Sequence, residues 1–346
     1  MSEKNVILSN SEALDLAKRA ILSVGADGAS ASSLASATVS AELHGRSNVG
    51  FAHLLDYLAS FREGRINRSP RPVLQGDFPA IISCDADDGV AQLGFDIAFA
   101  RLVETACELG VSIFKQRNSY STGELGYYVR RLAESGLVAL AVTNANAVMA
   151  ASAGGPRMYG TNPMAFAFPM GEGLRPILID QASSATALVN IIAAASEGRA
   201  IPHGLAVDEG GNDTDDPSRA LAGALLPFGG RRGANIALMV ELLSAGMSGG
   251  SWSIDAPTFD HGSRSPRAGL TVIAMVPGSQ DVVPRVRLHA DRIRGLGVYV
   301  PGTGPLGALS DGVPQIAISR SVFDAVTSIA EGNMEPLPVE GSGIGE

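Results

Sequence analysis

Helical and strand-like patterns alternate along most of this chain, and glycines mark several of the junctions between them. Gly110 and Gly136 each stand between an amphipathic helical pattern and an apolar strand pattern, as expected of a residue that ends helices in the left-handed conformation. The helical patterns lie at 92–109, 124–135, 184–198, 233–247 and about 280–295, and the strand patterns lie at 80–83, 111–114, 138–142, 164–168, 177–179 and 270–275. This alternation predicts an α/β fold or a mixed α+β arrangement.

The two ends of the chain differ from this alternating middle. Ser9, Asn10 and Ser11 supply a helix cap in front of an apolar helical spacing, and residues 30–64 continue with helical spacing as far as Gly64. The sequence after residue 332 is rich in Pro, Gly and Glu, which is typical of a loosely held tail. We therefore predict a helical N-terminal region and a poorly packed C-terminus.

Charge and cysteine usage exclude several classes of function. The 346 residues carry a net charge of −9, which disfavours non-specific binding to nucleic acid. No apolar run approaches the roughly 20 residues that span a bilayer, and the first residues lack the order of a signal peptide. Cys84 and Cys107 have neither metal-ligand spacing nor the density of a disulfide framework. We expect a soluble cytoplasmic protein with no metal and no membrane partner.

The segment 225–234, which runs directly into a helical pattern, has the composition of a phosphate site. Gly229 and Gly230 allow a tight turn and close approach of the backbone to a ligand. Arg231 and Arg232 follow in the first turn, where the helix already presents unpaired N–H groups and positive potential. The alternative interpretation is a glycine-rich helix start with two solvated arginines.

Familiar nucleotide and metal motifs are absent from the sequence. No G-x-G-x-x-G opens a helix after an early strand, and neither a P-loop, an H-E-x-x-H nor a paired C-x-x-C occurs. The sequence therefore gives no support for the doubly wound dinucleotide-binding fold.

Several segments, in order from about residue 10 to residue 302, resemble the type-2 malate/L-lactate dehydrogenase family. This family includes Δ1-piperideine-2-carboxylate reductase, ureidoglycolate dehydrogenase and sulfolactate dehydrogenase. The matching segments are 41–67, 117–119 through 126–128, 160–163 with 165–167, 179–183, 224–233 and 237–243. Among them, Leu-Leu-Pro-Phe-Gly-Gly at 225–230 favours the cyclic-imine reductases within the family.

The resemblance implies a fold of a different type from the Rossmann fold, in which a mixed central sheet is flanked by helices and preceded by a helical N-terminal region. It also implies a small-molecule substrate, NADPH or NADH as the cofactor, and a homodimer. The implied division is a helical region at 1–70, a substrate and dimerisation region at 71–120 with about 280–302, an NAD(P)-binding domain at 121–279, and a C-terminal helix with a loose tail at 303–346.

By position in the family pattern, ten residues are expected along the cofactor. They are Ser119, Ser121, Thr122, Gly160, Thr161, Asn162, Ser183, Arg231, Arg232 and Gly233. The family commonly has His-Lys-Gly at the last three positions, so Arg232 keeps the charge of the lysine with a different shape. The two arginines favour NADPH, whereas Tyr299, where many relatives have an arginine, argues against a 2′-phosphate contact at that point.

The chain departs from the family where catalytic residues are expected. Val49 stands in place of the acid/base histidine of the first motif, and His53 stands in place of the arginine that grips a substrate carboxylate. The second motif reads Asn-Ser-Tyr-Ser-Thr-Gly at 118–123 and has also lost its histidine. Valine cannot transfer a proton, so other residues must do so if the chemistry is retained.

Four residues are candidates for catalysis. Asp180 ends a buried strand pattern, where a carboxyl could hold a raised pKa and deliver a proton, although it could instead cap a helix starting near residue 184. His44, one helical turn from Val49, is expected to face the same cleft, and His53 and the phenol of Tyr120 are further candidates. Arg46 could replace the missing cation. For His44, Tyr120 and Arg46 taken singly, a structural role is the more common one, whereas His53 occupies a substrate-facing position in the family pattern and both roles stay open for it.

The replacement of the family's two histidines and one arginine favours some reactions over others. General acid–base catalysis contributes roughly 10²–10⁴ in rate, and a ketone needs it for the developing alkoxide. A protonated imine already carries its charge, so hydride transfer to C=N tolerates the loss best. We therefore expect an NAD(P)H-dependent reductase of an imine or another activated acceptor in a specialised biosynthetic pathway. The alternatives are a 2-oxo-acid or ketone reductase with substituted acid/base residues, and a family member that binds cofactor without hydride transfer.

Overall fold

The computed structural model describes residues 5–302, 309–310 and 313–333, and its central feature is a seven-stranded mixed sheet. The strands of the described chain are β1 (Val6–Ser9), β2 (Val73–Phe78), β3 (Ile81–Asp85), β4 (Val111–Ser119), β5 (Val138–Thr143), β6 (Met149–Ala150), β7 (Arg157–Tyr159), β8 (Met164–Phe168), β9 (Ile177–Gln181), β10 (Ala206–Val207), β11 (Ala224–Leu225), β12 (Ala268–Met275), β13 (Leu309–Ser310) and β14 (Val313–Ile318). The central sheet has the order β2-β3-β4-β12-β5-β8-β9, in which β3 and β4 are parallel and the other neighbours are antiparallel.

Helices surround this sheet and form a separate layer at the N-terminus. They are α1 (Asn10–Ser23), α2 (Gly28–Leu43), α3 (Phe51–Glu63), α4 (Ala91–Leu109), α5 (Leu125–Glu134), α6 (Leu188–Ser196), α7 (Pro217–Ala222), α8 (Arg231–Glu241), α9 (Val282–Gly295) and α10 (Arg320–Ala330). A short 3₁₀ turn, Ser47–Val49, precedes α3, and a π-helical turn, Leu242–Gly246, continues α8. None of the described helices combines the length and apolarity needed to cross a bilayer.

Side-chain alternation along β12 explains how the sheet is covered on both faces. Leu270 and Val272 are fully buried in the core formed with α4 and α5. Thr271, which points to the opposite face, donates a hydrogen bond of 2.6 Å to the Leu243 carbonyl in the π-helical turn. The sheet is therefore sandwiched between helices, which confirms the predicted mixed sheet flanked by helices.

The N-terminal helical layer has its own apolar core. Helices α1, α2, α3 and α10 enclose it together with β1 and β14, which pair antiparallel. Ser9 caps α1 with a capping box to Glu12, as the sequence predicts. Two smaller sheets have the orders β1-β14-β13 and β10-β11-β6-β7.

Residues 30–64 do not form the continuous helix that their spacing predicts. The helix breaks after Leu43, because Gly45 adopts a left-handed φ of 70° and the chain re-enters helix only at Phe51. Glu42 stabilises this break by accepting hydrogen bonds from Phe51 N at 2.8 Å and Ser47 Oγ at 2.7 Å. The expectation that His44 and Val49 lie one turn apart on a single helix is therefore wrong, since they lie on different elements.

The predicted division at residue 120 falls between β4 and α5, and the central sheet continues across it. Strands β2–β4 precede that point and pair with β12, which follows it. The division thus stays a prediction about function. The predicted loose tail lies outside the described residues, apart from 333.

Candidate active site

Asp180 lies on β9, opposite Ala165 of β8, and points toward the start of α5. Its Oδ2 accepts a hydrogen bond of 2.8 Å from the backbone N–H of Gly126, in the first turn of that helix. Burial raises the pKa of Asp180 to about 6, with a further upward contribution from Glu124, and Arg46 and Arg130 oppose this shift. Asp180 therefore does cap a helix start, but the helix is α5 rather than the one near residue 184.

A buried ion pair lies beside Asp180. Arg130 Nη2 is 2.5 Å from Glu124 Oε1, and both side chains are almost completely buried. A Cβ added at Gly126 would lie 2.6 Å from Glu124 Oε1, 3.2 Å from Arg130 Nη2 and 3.2 Å from Asp180 Oδ2. The three charged side chains therefore converge on Gly126, and a side chain at this position would displace the Glu124 carboxylate.

His44 belongs to the same cluster from the side of the N-terminal layer. Its Nδ1 donates a hydrogen bond of 2.7 Å to the Ser40 carbonyl, and the Ser40 hydroxyl accepts one of 3.0 Å from Arg130. Burial lowers the pKa of His44 to about 4, and the positive charge of Arg130 lowers it further. At neutral pH His44 is an uncharged imidazole with its Nε2 lone pair free to accept a proton or a hydrogen bond.

His53 lies in a second polar cluster, on α3. Its Nδ1 donates a hydrogen bond of 2.7 Å to Asp56, and its Nε2 lies 3.5 Å from Ser121 Oγ. The imidazole packs edge-on against the rings of Tyr57 and Phe259. The structure thus brings together His53 and Ser121, the replacements of the family's arginine and second histidine.

Tyr120 occupies a structural position. Its hydroxyl accepts a hydrogen bond of 2.7 Å from Ser60 and donates one of 2.7 Å to the Phe259 carbonyl. The side chain is buried in the N-terminal core, and burial raises the pKa of its phenol far above the usual range. Both hydrogen-bonding roles of the hydroxyl are thus filled away from Asp180, so we leave Tyr120 out of the proposed catalytic set.

Ser119 and Thr122 of the second motif are also engaged internally. Ser119 is fully buried, and its hydroxyl donates to the Ala268 carbonyl at 3.1 Å. The carbonyl of Thr122 accepts hydrogen bonds from Gln92 at 3.0 Å and Tyr128 at 2.8 Å. These contacts fix the backbone that carries Ser121.

The expected cofactor residues at 160–162 and 183 meet in one place. Ser183 Oγ donates to the Asn162 carbonyl at 2.6 Å, and Ser183 N donates to the Thr161 carbonyl at 2.8 Å. A Cβ at Gly160 would lie 2.9 Å from the backbone of Ala145, so this segment packs directly on neighbouring main chain. Because Ser183 follows closely after Asp180, this cluster adjoins the acid.

Asn162 joins that cluster to α8. Its Nδ2 donates to the Ala237 carbonyl at 2.9 Å and to Glu241 at 2.8 Å, while its Oδ1 is a buried acceptor without a partner in the described part of the chain. The Ser183 carbonyl accepts a hydrogen bond of 3.0 Å from Phe228 N. A buried acceptor left open beside a glycine turn suits a ligand that brings its own donor, such as a carboxamide.

The start of α8 has the geometry that a phosphate requires. Gly229 and Gly230 both have positive φ, and no side chain caps the first N–H groups of the helix. A Cβ at Gly233 would overlap the Phe228 carbonyl oxygen, so close packing requires glycine there. Arg231 and Arg232 are exposed at this end. The residues present therefore fit a dinucleotide.

Sequence reasoning missed Glu124, Arg130 and Asp56. Glu124 and Arg130 are six positions apart, a spacing that the usual helix pair rules do not cover. Asp56 could have been found, because it follows His53 by three residues on one helix, where the two side chains are neighbours.

Comparison with known proteins identifies the family. The sequence profile described as malate/L-lactate dehydrogenase matches residues 8–294. A Δ1-pyrroline-2-carboxylate/Δ1-piperideine-2-carboxylate reductase of Pseudomonas syringae is 35% identical over 78% of this chain and 79% of its own length. A (2R)-3-sulfolactate dehydrogenase (NADP(+)) of Chromohalobacter salexigens is 35% identical over 94% of this chain and 98% of its own.

Solved structures give the same result for the fold. The crystal structure of Δ1-piperideine-2-carboxylate reductase from Pseudomonas syringae superposes with a TM-score of 0.84 at 30% identity, covering 94% of this chain and 99% of that one. Sulfolactate dehydrogenase from Methanocaldococcus jannaschii gives 0.77 at 26% identity, covering 96% and 93%. The chain therefore belongs to the malate/L-lactate dehydrogenase family and is an oxidoreductase.

Proposed function

We propose that this protein is an NADPH-dependent reductase of an imine, or of another acceptor that reaches the site already activated, in a specialised biosynthetic pathway. The observation that carries the proposal is Asp180, a carboxyl whose pKa is raised to about 6 next to the residues that fit the cofactor. Val49 and Ser121 leave no histidine at the family's two positions. Relatives named as Δ1-pyrroline-2-carboxylate reductases support the substrate class.

Asp180 acts on the proton in this proposal. A reduced nicotinamide, when bound, supplies a hydride to the carbon of C=N. Below pH 6 Asp180 is mostly protonated and donates its proton to the imine nitrogen; its carboxylate then stabilises the iminium that accepts the hydride. The products are an amine, the oxidised nicotinamide and the carboxylate of Asp180, which regains its proton from water.

His44 and the Glu124–Arg130 pair position that acid. Arg130 is held by Glu124 and Ser40, so it does not ion-pair directly with Asp180 and depress its pKa strongly. His44 stays uncharged because its pKa is lowered to about 4, and a second positive charge is thus kept from the acid. We propose His44 as a hydrogen-bonding residue of the pocket rather than the proton donor.

The cofactor residues are proposed from the cluster around Asn162 and from α8. Asn162, Thr161 and Ser183 would hold the nicotinamide end, and the start of α8 with Arg231 and Arg232 would hold phosphate. Two guanidiniums at a helix N-terminus favour NADPH over NADH. Replacement of both arginines by alanine is expected to weaken NADPH binding about tenfold or more and NADH binding less, measured by nucleotide fluorescence.

A 2-oxo-acid reductase is the second candidate. It is favoured by the similarity to a sulfolactate dehydrogenase over 94% of this chain. A ketone requires proton delivery to an alkoxide as it forms, and Asp180 is the residue placed to supply it.

Absorbance at 340 nm with a panel of acceptors separates the candidates. The panel contains Δ1-pyrroline-2-carboxylate, Δ1-piperideine-2-carboxylate, their carboxamides, 3-sulfopyruvate and pyruvate, each with NADPH and with NADH. Faster reduction of the cyclic imines supports the proposal, and faster reduction of the oxo acids supports the second candidate. Saturable binding of NADPH with no turnover of any acceptor would identify a cofactor-binding protein without hydride transfer.

We also propose that the protein is a cytoplasmic homodimer. Exposed apolar side chains lie on α8 and on the segment after it, namely Leu238, Met239, Leu242, Trp252 and Ile254. Such a surface favours association. Cys84 and Cys107 are both unpaired, as a reducing compartment permits. Light scattering coupled to gel filtration gives the mass in solution, and a monomer would contradict the proposed dimer.

A further inference from the structure

We propose that the His53–Asp56 pair, together with Ser121, makes the substrate pocket select an acceptor whose neighbouring carboxyl group is masked as an amide, over the free carboxylate. The inference rests on the proposed reductase function and names its substrate class. It runs against the free acids named for the relatives, so it concerns this chain in particular.

Two chain segments connect the surroundings of His53 to those of Asp180. The segment 44–53 starts beside the Arg130–Glu124 pair at His44 and ends at His53. The segment 121–126 starts at Ser121, beside His53, and ends at Gly126, which holds Asp180. The two segments therefore run between the same two clusters, Asp180 with Gly126 at one end and His53 with Ser121 at the other, and we take the space between them as the substrate pocket.

The net charge of the His53–Asp56 pair does not favour binding of a carboxylate. Asp56 binds His53 at 2.7 Å, so the pair carries zero charge when the imidazole is protonated and −1 when it is neutral. An arginine at position 53 without a carboxylate partner would instead present a full positive charge in a planar fork. A bound carboxylate would therefore meet a neutral or negative pair in place of a guanidinium.

The hydrogen-bonding groups at this end suit a neutral polar group. Since Nδ1–H of His53 is directed to Asp56, Nε2 is the nitrogen that faces Ser121 at 3.5 Å. The Ser121 hydroxyl and His53 Nε2 together offer one donor and one acceptor. A carboxamide, which has both a carbonyl oxygen and an NH₂, satisfies the two groups at once. A carboxylate has acceptors only, so it is opposed by the lone pair of a neutral His53, and it meets a pair without net positive charge when His53 is protonated.

The test compares pairs of compounds that share the reacting ring and differ only in charge. Initial rates are measured with Δ1-pyrroline-2-carboxamide and Δ1-pyrroline-2-carboxylate, and binding of the unreactive planar analogues pyrrole-2-carboxamide and pyrrole-2-carboxylate is measured by calorimetry with and without NADPH. We expect the amide to exceed the acid at least tenfold in kcat/KM, and the amide analogue to bind more tightly.

Variants assign the preference to this pair. Asp56→Asn removes the negative charge at a position that is 43% exposed, so it should not unfold the protein, and His53→Arg/Asp56→Asn adds a positive one. Each variant is expected to raise the ratio of kcat/KM for the acid to kcat/KM for the amide about tenfold, mainly through a change in KM. Asp213→Asn is the matched control, because His203 and Asp213 form an exposed pair with the same 2.7 Å distance.

Failure of this inference and failure of the proposed function give different results. If the wild type reduces the acid as well as the amide, or if Asp56→Asn leaves the ratio unchanged, the inference is wrong while the reductase stands. A preference for the acid that is lost in Arg46→Ala would place the carboxylate at Arg46 and also overturn it. If no acceptor is reduced, the proposed function fails, and the calorimetry still decides: tighter binding of pyrrole-2-carboxamide supports the inference, and equal, reversed or absent binding overturns it.

Discussion

The Asp180 carboxyl accepts a hydrogen bond, but it lies in a buried environment that disfavours its charged form. A carboxyl that served only to cap α5 would be expected to gain from its hydrogen bond with Gly126 and to have a lowered pKa. Here burial outweighs that bond, and the pKa is raised to about 6. A carboxyl whose charged form is destabilised by burial is typical of a group held for proton transfer.

The first prediction follows from the sign of this shift. Folding disfavours the Asp180 carboxylate, so the penalty is absent below pH 3.8 and complete above about pH 6. Asp180→Asn keeps an acceptor for Gly126 N and removes the charge. At pH 7.5 we expect it to be about 1–3 kcal/mol more stable in urea denaturation and about 10²–10⁴ slower in kcat.

The exposed carboxylate of Asp215 gives the control, since Asp215→Asn should change neither quantity. For the wild type, reduction should slow as pH rises through 6, because the acid form of Asp180 is lost. Full activity in Asp180→Asn, or a marked loss of its stability, would contradict the assignment.

The contribution of His44 to stability changes with pH in the opposite direction to that of Asp180. Its pKa is lowered to about 4, so the unfolded chain takes up a proton near pH 6.5 that the folded protein refuses. Stability due to His44 is therefore present above pH 6.5 and is lost as pH falls toward 4. His44→Gln should reduce the drop in unfolding free energy between pH 7 and pH 5 by about 1–2 kcal/mol.

Urea denaturation at the two pH values measures this difference, with His203→Gln as the control on an exposed histidine. An unchanged pH dependence in His44→Gln would mean that folding does not lower the pKa of His44, which contradicts the prediction.

At the residue scale the sequence indicated Asp180 and His53 but not their partners. Asp180 ends an apolar run, so its burial follows from local pattern. The approach of Glu124 to Asp180 depends on how α5 lies across β9, which is a tertiary relationship without a local signature. The same applies to Tyr120, whose residue type suggested a proton donor until packing against Ser60 and Phe259 placed it in the core.

At the scale of elements, the start of α8 is set by a steric requirement. Any Cβ at Gly233 overlaps the Phe228 carbonyl, which is main chain and cannot move aside cheaply. Gly233→Ala should destabilise the protein by about 2–4 kcal/mol and weaken NADPH binding. Gly28→Ala is the matched control, since it lies at the start of α2 with open space around the added methyl and should leave stability nearly unchanged.

Both variants are measured by urea denaturation, with NADPH fluorescence as the second readout. Equal midpoints for Gly233→Ala and wild type would show that the helix start adjusts to a side chain, and the close packing proposed for the phosphate site would then be wrong.

Elements with strong local periodicity were predicted well, and those that depend on distant partners were not. The spacing of α4 and the stop at Gly110 are local, so both appear in the structure as expected. Strands β1 and β14 exist through their pairing with each other, more than 300 positions apart, and no window of sequence reveals that. The break after Leu43 was missed for a related reason, because the hydrogen bonds of Glu42 to Ser47 and Phe51 form only once the chain has turned.

At the scale of the whole molecule, one buried ion pair connects the N-terminal helical layer to the central sheet. Arg130 on α5 binds Glu124 on the same helix start and Ser40 on α2, and Asp180 on β9 adjoins them. Both ends of the pair are nearly inaccessible, with side-chain exposures of 6% and 2%. Removal of one partner would leave an uncompensated charge where the two layers meet.

The last prediction separates that penalty from the net value of the pair. Arg130→Ala should lower the unfolding free energy by about 3–5 kcal/mol, because Glu124 is left buried and unpaired. Glu124→Leu/Arg130→Met, which replaces both charges with apolar side chains, should return stability to within about 1 kcal/mol of wild type. Arg19→Ala, at an exposed pair with Asp15, should change it by less than about 1 kcal/mol. If the double variant is as unstable as Arg130→Ala, the hydrogen bond to Ser40 rather than the buried charge of Glu124 holds the layers together, and activity should then fall in both, because His44 shares Ser40 with Arg130.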